Sequence, residues 1–213
     1  MGAKFVSNKD ETVRMFKNPV LEYLSHIHPL TPIVIYVPII AYVMYLAVTT
    51  TPWLTAVGIF VVGGLIWSFV EYTMHRWVFH YHPKTEIGKK VHFMVHGVHH
   101  DYPRDSTRLV MPLLVSVPLA FVFWYLFRAT MAPHNYAFFA GFVAGYVLYD
   151  TTHYATHHWP MKNKFARFLK EYHMKHHYVD DDTAYSVTLP VWDVLFGTMP
   201  QWAQDRLSKN KSK

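Results

Sequence analysis

The sequence predicts an all-α integral membrane protein, with four transmembrane helices and a cytosolic helical cap that holds a histidine-rich di-metal centre. Three observations carry this prediction. Long stretches of the 213-residue chain contain no charged side chain, nearly all cations fall on one side of those stretches, and the 16 His are concentrated in clusters with helical spacing.

Four apolar stretches are long enough to cross a bilayer, which takes about 20 residues each. No Asp, Glu, Lys or Arg occurs from Tyr23 to Val70, and Thr49–Trp53 is a plausible turn inside that run. Two further charge-free stretches begin at Leu109 and Ala129. We predict spans at 30–49, 54–74, 109–128 and 136–154. The alternative, buried helices of a soluble core, would require a 213-residue protein to hide four such helices.

The distribution of the cations predicts the orientation. Every Lys and Arg except Arg128 lies before the first span, between the second and third, or after the fourth. By the positive-inside rule, both termini and the middle loop are cytosolic. The net charge of +6 is then a topology signal and a contact for anionic headgroups, and no nucleic-acid partner is predicted. The expected location is the endoplasmic reticulum membrane or a bacterial inner membrane. The ending Lys209–Lys213 resembles a dilysine signal for retrieval to the endoplasmic reticulum.

The domain organisation is predicted to be simple. Residues 1–200 form a single membrane-embedded domain, and residues 201–213 form a polar basic tail that is expected to be disordered. The chain has no Cys, which excludes disulfides, a thiol nucleophile, Cys-ligated zinc and iron–sulfur clusters.

The histidine clusters are the candidate metal ligands. Residues three and four apart on a helix share a face, so paired imidazoles at this spacing can hold a metal between helices. His75 and His80 are five apart, so they either serve different metals or lie on an irregular helix. The ten candidates, enough for two metals with five each, are His75, His80, His96, His99, His100, His153, His157, His173, His176 and His177.

Five other polar residues near the clusters are candidates for an outer role. His158 points away from the face shared by His153 and His157. Four carboxylates could accept imidazole N–H bonds and balance the charge of the metals, or could simply pair with nearby cations; they are Glu71, Asp101, Asp150 and Glu171. The remaining histidines, His26, His28, His82, His92 and His134, are interpreted as bystanders.

The sequence resembles the fatty acid hydroxylase superfamily in the spacing of its histidines and in the residues around them. The spacing is H-x4-H, H-x2-HH, H-x3-H, H-x2-HH, and the matching segments are HRWVFH, HFMVHGVHHDYPRDSTRLVMP, GYVLYDTTHYATHH, HMKHHY and LPVWDVLFGT. Within it, the sequence is most similar to the fatty acid 2-hydroxylases. The resemblance implies a membrane monooxygenase with two iron ions on the ten histidines, although zinc can occupy such sites in purified material. It also implies O2-dependent hydroxylation of a fatty acyl chain or ceramide at the carbon next to the carboxyl.

Electrons are expected from a separate donor, such as cytochrome b5 or ferredoxin with a reductase. About 29 residues precede the first span, too few for the cytochrome b5-like domain of some relatives. No flavin or nicotinamide fingerprint G-x-G-x-x-G occurs in the sequence. Two other functions stay open: a sterol or carotenoid hydroxylase or desaturase of the same superfamily, and a membrane metal transporter. Transporter ligands normally lie at the midplane of broken helices, whereas these clusters lie at span ends.

Overall fold

A computed structural model describes residues 5–211, so Lys213 and the ends of the chain lie outside the described residues. Over that range the protein is built from helices, and no strand is found there. The helices are α1 Pro19–Ser25, α2 Thr31–Thr50, α3 Trp53–Met74, α4 Glu86–His92, α5 Val98–Asp101, α6 Leu113–Thr130, α7 Asn135–His158, α8 Lys164–Tyr178, α9 Val191–Leu195 and α10 Gln201–Lys211. Two π-helical turns, His75–Phe79 and Phe93–Gly97, continue α3 and α4.

Three of the predicted spans are confirmed as helices that are long and apolar enough to cross a membrane: Thr31–Thr50, Trp53–Phe79 and Leu113–Thr130. Their outer faces expose large apolar side chains, such as Val34, Val61 and Phe121, as a lipid contact requires. The third helix begins later than predicted, because Pro112 starts it and the preceding Leu109 and Val110 are buried.

The four long helices α2, α3, α6 and α7 run alternately up and down. At one end, the Tyr36 hydroxyl on α2 donates to Ser116 Oγ on α6 at 2.8 Å. At the opposite end, the end of α2 and the starts of α3 and α7 meet in a buried alanine cluster, Ala47, Ala56 and Ala137. The histidines therefore come together at the end of the bundle where α2 and α6 begin.

Helix α7 is the central helix of the bundle, and its interior residues are buried from Asn135 to His157. It is not one of the three helices apolar enough to span a membrane, because its C-terminal part carries Asp150 and three histidines. The fourth predicted span, 136–154, therefore exists as a helix, whereas its crossing of a membrane stays a prediction.

Glycines allow α3 and α7 to pack with their backbones in contact, as small residues do between membrane helices. A Cβ on Gly141 would overlap the Phe60 carbonyl, and one on Gly63 would overlap the Phe138 carbonyl. The two helices would have to move apart to admit either methyl group.

Replacing Gly141 with alanine is therefore expected to lower the melting temperature of the purified protein by about 5 °C or more, the effect of overpacking a helix contact. The matched control is Gly58→Ala on α3, because a Cβ there has no neighbour within 4 Å among the described residues apart from its chain neighbours and the backbone of its own helix. Equal melting temperatures for the two variants would show that the close approach is unimportant.

The cap consists of the shorter helices and the segment before α1. That segment lies across the cap, because Ser7 N donates to the Asp101 carbonyl at 2.8 Å and Ser106 N donates to Asp10 Oδ1 at 3.0 Å. Arg108, whose side chain is 4% exposed, ties α1 to the chain before α6 by pairing with Glu22.

The described part of the segment 201–213, where the sequence predicts a disordered tail, is the helix Gln201–Lys211. The physical reason is packing: Ala203 is fully buried and Trp202 packs on Phe168 and Tyr172 of α8.

Candidate metal centre

All ten candidate histidines lie together, on and just after the π-helical turn that follows α3, on the second π-helical turn with α5, at the C-terminal end of α7, and on α8. They form two groups, in each of which one nitrogen per residue lies within 4.8 Å of the others. Group one consists of His75, His80, His96, His100 and His176, and group two of His99, His153, His157, His173 and His177. The five predicted bystander histidines and His158 belong to neither group.

The π-helical turn after α3 explains the spacing of five between His75 and His80. His80 N donates to the His75 carbonyl at 3.1 Å, the bond that defines a π-helix. The wider turn brings the two rings onto one side, with their Nε2 atoms 3.2 Å apart. Of the two alternatives raised by the sequence, the irregular helix is therefore the one observed, and both residues serve the same group.

Each H-x-x-H-H triad is divided between the groups, which the sequence analysis did not foresee. The i,i+4 pairs stay together: the Nε2 atoms of His96 and His100 are 2.9 Å apart, and those of His173 and His177 are 3.1 Å apart. Adjacent residues on a helix point about 100° apart. His99 and His176 therefore turn into the group opposite to that of their own triad.

The nitrogen geometry fits two metal ions. Neighbouring Nε2 atoms lie 2.8–3.2 Å apart, as between His153 and His99 or between His75 and His96. Two nitrogens each about 2.1 Å from one ion, at right angles, would lie about 3.0 Å apart. Close imidazole nitrogens pointing at a common centre are what a bound cation requires.

The protonation state also fits metal binding. Burial lowers the pKa of His96, His99, His173 and His177, and neighbouring imidazoles lower it further. The pKa of His99 falls to about 3. The rings are therefore neutral at physiological pH and offer lone pairs to a metal.

Backbone carbonyls orient two rings of group one. His75 Nδ1 donates to the Tyr185 carbonyl, and His176 Nδ1 donates to the Thr183 carbonyl at 2.7 Å. Donation from Nδ1 leaves the Nε2 lone pair for the metal, which is how outer contacts usually fix a ligating histidine.

The loop that carries these carbonyls is held by two buried carboxylates. Asp193 accepts hydrogen bonds from Tyr185 N and Ser186 N, both at 2.9 Å, and Glu71 accepts from Val187 N and Thr188 N at 2.7 and 2.9 Å. Asp193 was missed in the sequence analysis, although it lies in the segment LPVWDVLFGT. A single fully buried acid on the short helix α9 gives no spacing signal.

The carboxylates predicted to accept imidazole N–H bonds have other partners. Besides Glu71, Asp150 accepts from Met111 N at 3.2 Å, and Glu171 pairs on the surface with Lys175 and Arg206. Backbone carbonyls, and not these carboxylates, accept from Nδ1 of His75 and His176. Glu171 therefore follows the alternative raised by the sequence, pairing with nearby cations.

The remaining two outer candidates lie at the edge of the site. Asp101 ends α5, and its carbonyl accepts from Ser7 N. His158 stacks on Tyr154, with ring centroids 4.5 Å apart, and belongs to neither group of histidines.

An apolar cavity among α2, α3, α6 and α7 lies next to the two groups, although none of the ten histidines lines it. Its lining includes Phe79, Ala120 and Tyr149. The Phe79 ring stacks on His96 of group one at 5.0 Å, and the Tyr149 ring stacks on His153 of group two at 5.7 Å. An apolar ligand in this cavity would therefore be separated from each group of imidazoles by one aromatic ring.

Comparison with known proteins gives one consistent result. The model of the fatty acid hydroxylase family matches residues 60–198. The chain is 41% identical to dihydroceramide fatty acyl 2-hydroxylase FAH1 of Arabidopsis thaliana, over 68% of this chain and 61% of the relative. It is 42% identical to ceramide very long chain fatty acid hydroxylase scs7 of Schizosaccharomyces pombe, over 77% of this chain and 48% of the relative. The matches thus span only about half to three fifths of these two relatives.

A solved structure gives the same answer. The visible hydroxylase domain of scs7p superposes with a TM-score of 0.80 at 37% identity, covering 87% of this chain and 71% of that one. Given this likeness and the family match over residues 60–198, the chain belongs to the fatty acid hydroxylase family.

Proposed function

We propose that this protein is a membrane monooxygenase that hydroxylates the acyl chain of a fatty acid or ceramide at the carbon next to the carboxyl. The observation that carries the proposal is the apolar cavity whose wall residues Phe79 and Tyr149 stack on one imidazole of each group. The named activities of the Arabidopsis and fission yeast relatives, both acyl-chain hydroxylases, support the choice of substrate.

The ten histidines of the two groups would hold two metal ions, which we propose are iron; zinc could replace them in purified protein. Iron bound there would supply the redox chemistry that activates O2 toward an unactivated C–H bond. One oxygen atom of O2 enters the substrate as the hydroxyl oxygen. The other oxygen atom takes up two electrons and two protons and leaves as water. The electrons come from a separate donor such as cytochrome b5 or a ferredoxin with its reductase.

The protein's own residues bind and shield the reacting carbon. The chain of the substrate lies in the cavity, where apolar walls exclude water, and its polar head lies at the cap. Backbone acceptors at Tyr185 and Thr183 keep two rings of group one turned toward the centre. The carbon that reacts is then one close to the polar head of the substrate, because the imidazoles lie beyond the cap end of the cavity.

We further propose that four helices cross the membrane, with both termini and the histidine-bearing cap on the cytosolic side, and that residues 1–200 act as one domain. α7 must return across the same thickness that α6 crosses, because its end contributes His153 and His157 to a group that also contains His99. The basic flanks favour a cytosolic cap in the endoplasmic reticulum membrane or a bacterial inner membrane.

The test is lipid mass spectrometry on cells that express the wild-type protein or the His176→Ala, His177→Ala variant. We expect 2-hydroxyacyl lipids with the wild type only. Hydroxylated or desaturated sterol or carotenoid with unchanged acyl chains would favour the other activities of the superfamily. Metal uptake with unchanged lipids would favour a transporter.

Filling the cavity gives a second prediction. Ala120→Phe is expected to lower kcat/KM for the acyl substrate at least tenfold with metal content unchanged, because the new ring occupies the space of the chain. Ala129→Phe is the matched control, since Ala129 is exposed on the same helix α6. Equal kinetics for the two variants, measured with purified protein, would place the substrate elsewhere.

A further inference from the structure

A depression on the cap brings group two close to the surface. Its lining includes His157 of that group, together with Arg104, His158, Trp159, Lys170 and Tyr178. His157 Nε2 lies 2.9 Å from His173 Nε2, so a molecule seated in the depression would be one side chain away from the metal-binding nitrogens. Trp159 and Tyr178 are 47% and 45% exposed.

The depression and the substrate cavity lie on opposite sides of the metal centre. Tyr149 lines the cavity, Trp159 lines the depression, and His153 and His157 lie between them along α7. Ten helical residues separate the two sites by about 15 Å. A reactant can therefore approach group two from the cap while the cavity is filled.

The charge around the depression is mainly positive. Arg104 is exposed at its rim, and Lys170 is fixed there by donating to the Trp159 carbonyl at 3.0 Å. The exposed Lys162, Lys164 and Arg167 follow on the adjoining turn and the start of α8. Two acids, Asp10 and Asp105, also lie close enough to act on His158, and Asp10 accepts from Ser106 N. A partner with a negative surface would be attracted to this face.

We propose that this depression is the docking site of an acidic electron-transfer protein, which passes electrons to group two by way of His157. The proposal rests on the proposed function, since that reaction consumes two electrons per hydroxylation. The donor is oxidised by one electron at each encounter, so two encounters reduce the centre. The positive rim orients the donor, and Trp159 offers it an exposed aromatic contact.

The test compares two reductants for the purified, iron-loaded full chain: a soluble cytochrome b5 with its NADH-dependent reductase, and dithionite with methyl viologen. The variants are Arg104→Glu and the double change Arg104→Glu, Lys170→Glu. The matched control is Lys84→Glu, Lys90→Glu, which reverses two exposed cations of the middle loop. The Kd of cytochrome b5 for each variant is measured separately, so the docking site is tested even without turnover.

We expect the double variant to raise both Kd and KM for cytochrome b5 at least tenfold at about 50 mM salt, with a weaker salt dependence, as loss of steering charges predicts. Its turnover with methyl viologen should stay within twofold of the wild type. An unchanged Kd, or an equal loss with both reductants, would overturn the proposal. So would a loss confined to binding of phosphatidylglycerol vesicles, which would assign the cations to the membrane. Absence of 2-hydroxylation with either reductant, beside normal docking, would instead contradict the proposed function.

Discussion

Replacing His173 and His177 together with alanine is expected to reduce the metal content from two ions per chain to one and the hydroxylation rate by more than about 100-fold. Both residues belong to group two, and both are buried in the C-terminal half of α8. The change removes two of the five nitrogens of one group, whereas group one keeps all of its histidines. Elemental analysis of the purified protein beside a lipid hydroxylation assay measures both effects.

The control for this experiment is His134→Ala, because His134 is exposed, precedes α7 at the opposite end of the bundle and belongs to neither group. It should keep both ions and full activity. Retention of two ions by the double variant would contradict the division into two groups of five. Loss of both ions would mean that the groups do not bind metal independently.

Replacing Asp193 with alanine is expected to destabilise the protein by about 3–5 kcal/mol, because three buried donors lose their acceptor. The donors are Tyr185 N, Ser186 N and the Thr198 hydroxyl, and the carboxylate they bind is fully buried. For a chain of this size, the melting temperature should fall by about 10 °C. Differential scanning fluorimetry in detergent measures the change.

The same substitution should also weaken metal binding by group one, because the Tyr185 carbonyl that accepts from His75 loses its support. Val194→Ala is the matched control, since Val194 is exposed on the same short helix. Asp193→Asn, which keeps one acceptor oxygen, should fall between alanine and the wild type. A melting temperature within about 2 °C of the wild type for Asp193→Ala would show that the loop is held by other contacts.

The apolar spans and the histidine set were accessible from the sequence because each depends on local pattern. A charge-free stretch of about 20 residues has the length and composition of a membrane-spanning helix. Helical spacing predicts one shared patch for each triad, and the structure keeps the i,i+4 pairs His96–His100 and His173–His177 together but separates the third member of each. These signals need no knowledge of how the helices pack.

The division into two groups depends on tertiary structure and could not be predicted in the same way. His99 and His176 leave their triads because partners on other helices lie in the directions their rings point. The π-helical turn at His75 is not visible in a residue pattern, so the spacing of five between His75 and His80 left open whether they serve different metals or lie on an irregular helix. Asp193 could not be identified from the sequence either, since its function depends on the tertiary contact with the backbone of Tyr185 and Ser186.

The measurement that tests the central claim most directly is oxygen-isotope incorporation by the purified, iron-loaded protein given an acyl substrate, a reductant and ¹⁸O2. The account predicts a single ¹⁸O atom in a hydroxyl group at the carbon next to the carboxyl, located by fragmentation in the mass spectrometer. The His173→Ala, His177→Ala variant should give none. A hydroxyl at another carbon, or one whose oxygen comes from water, would contradict the account.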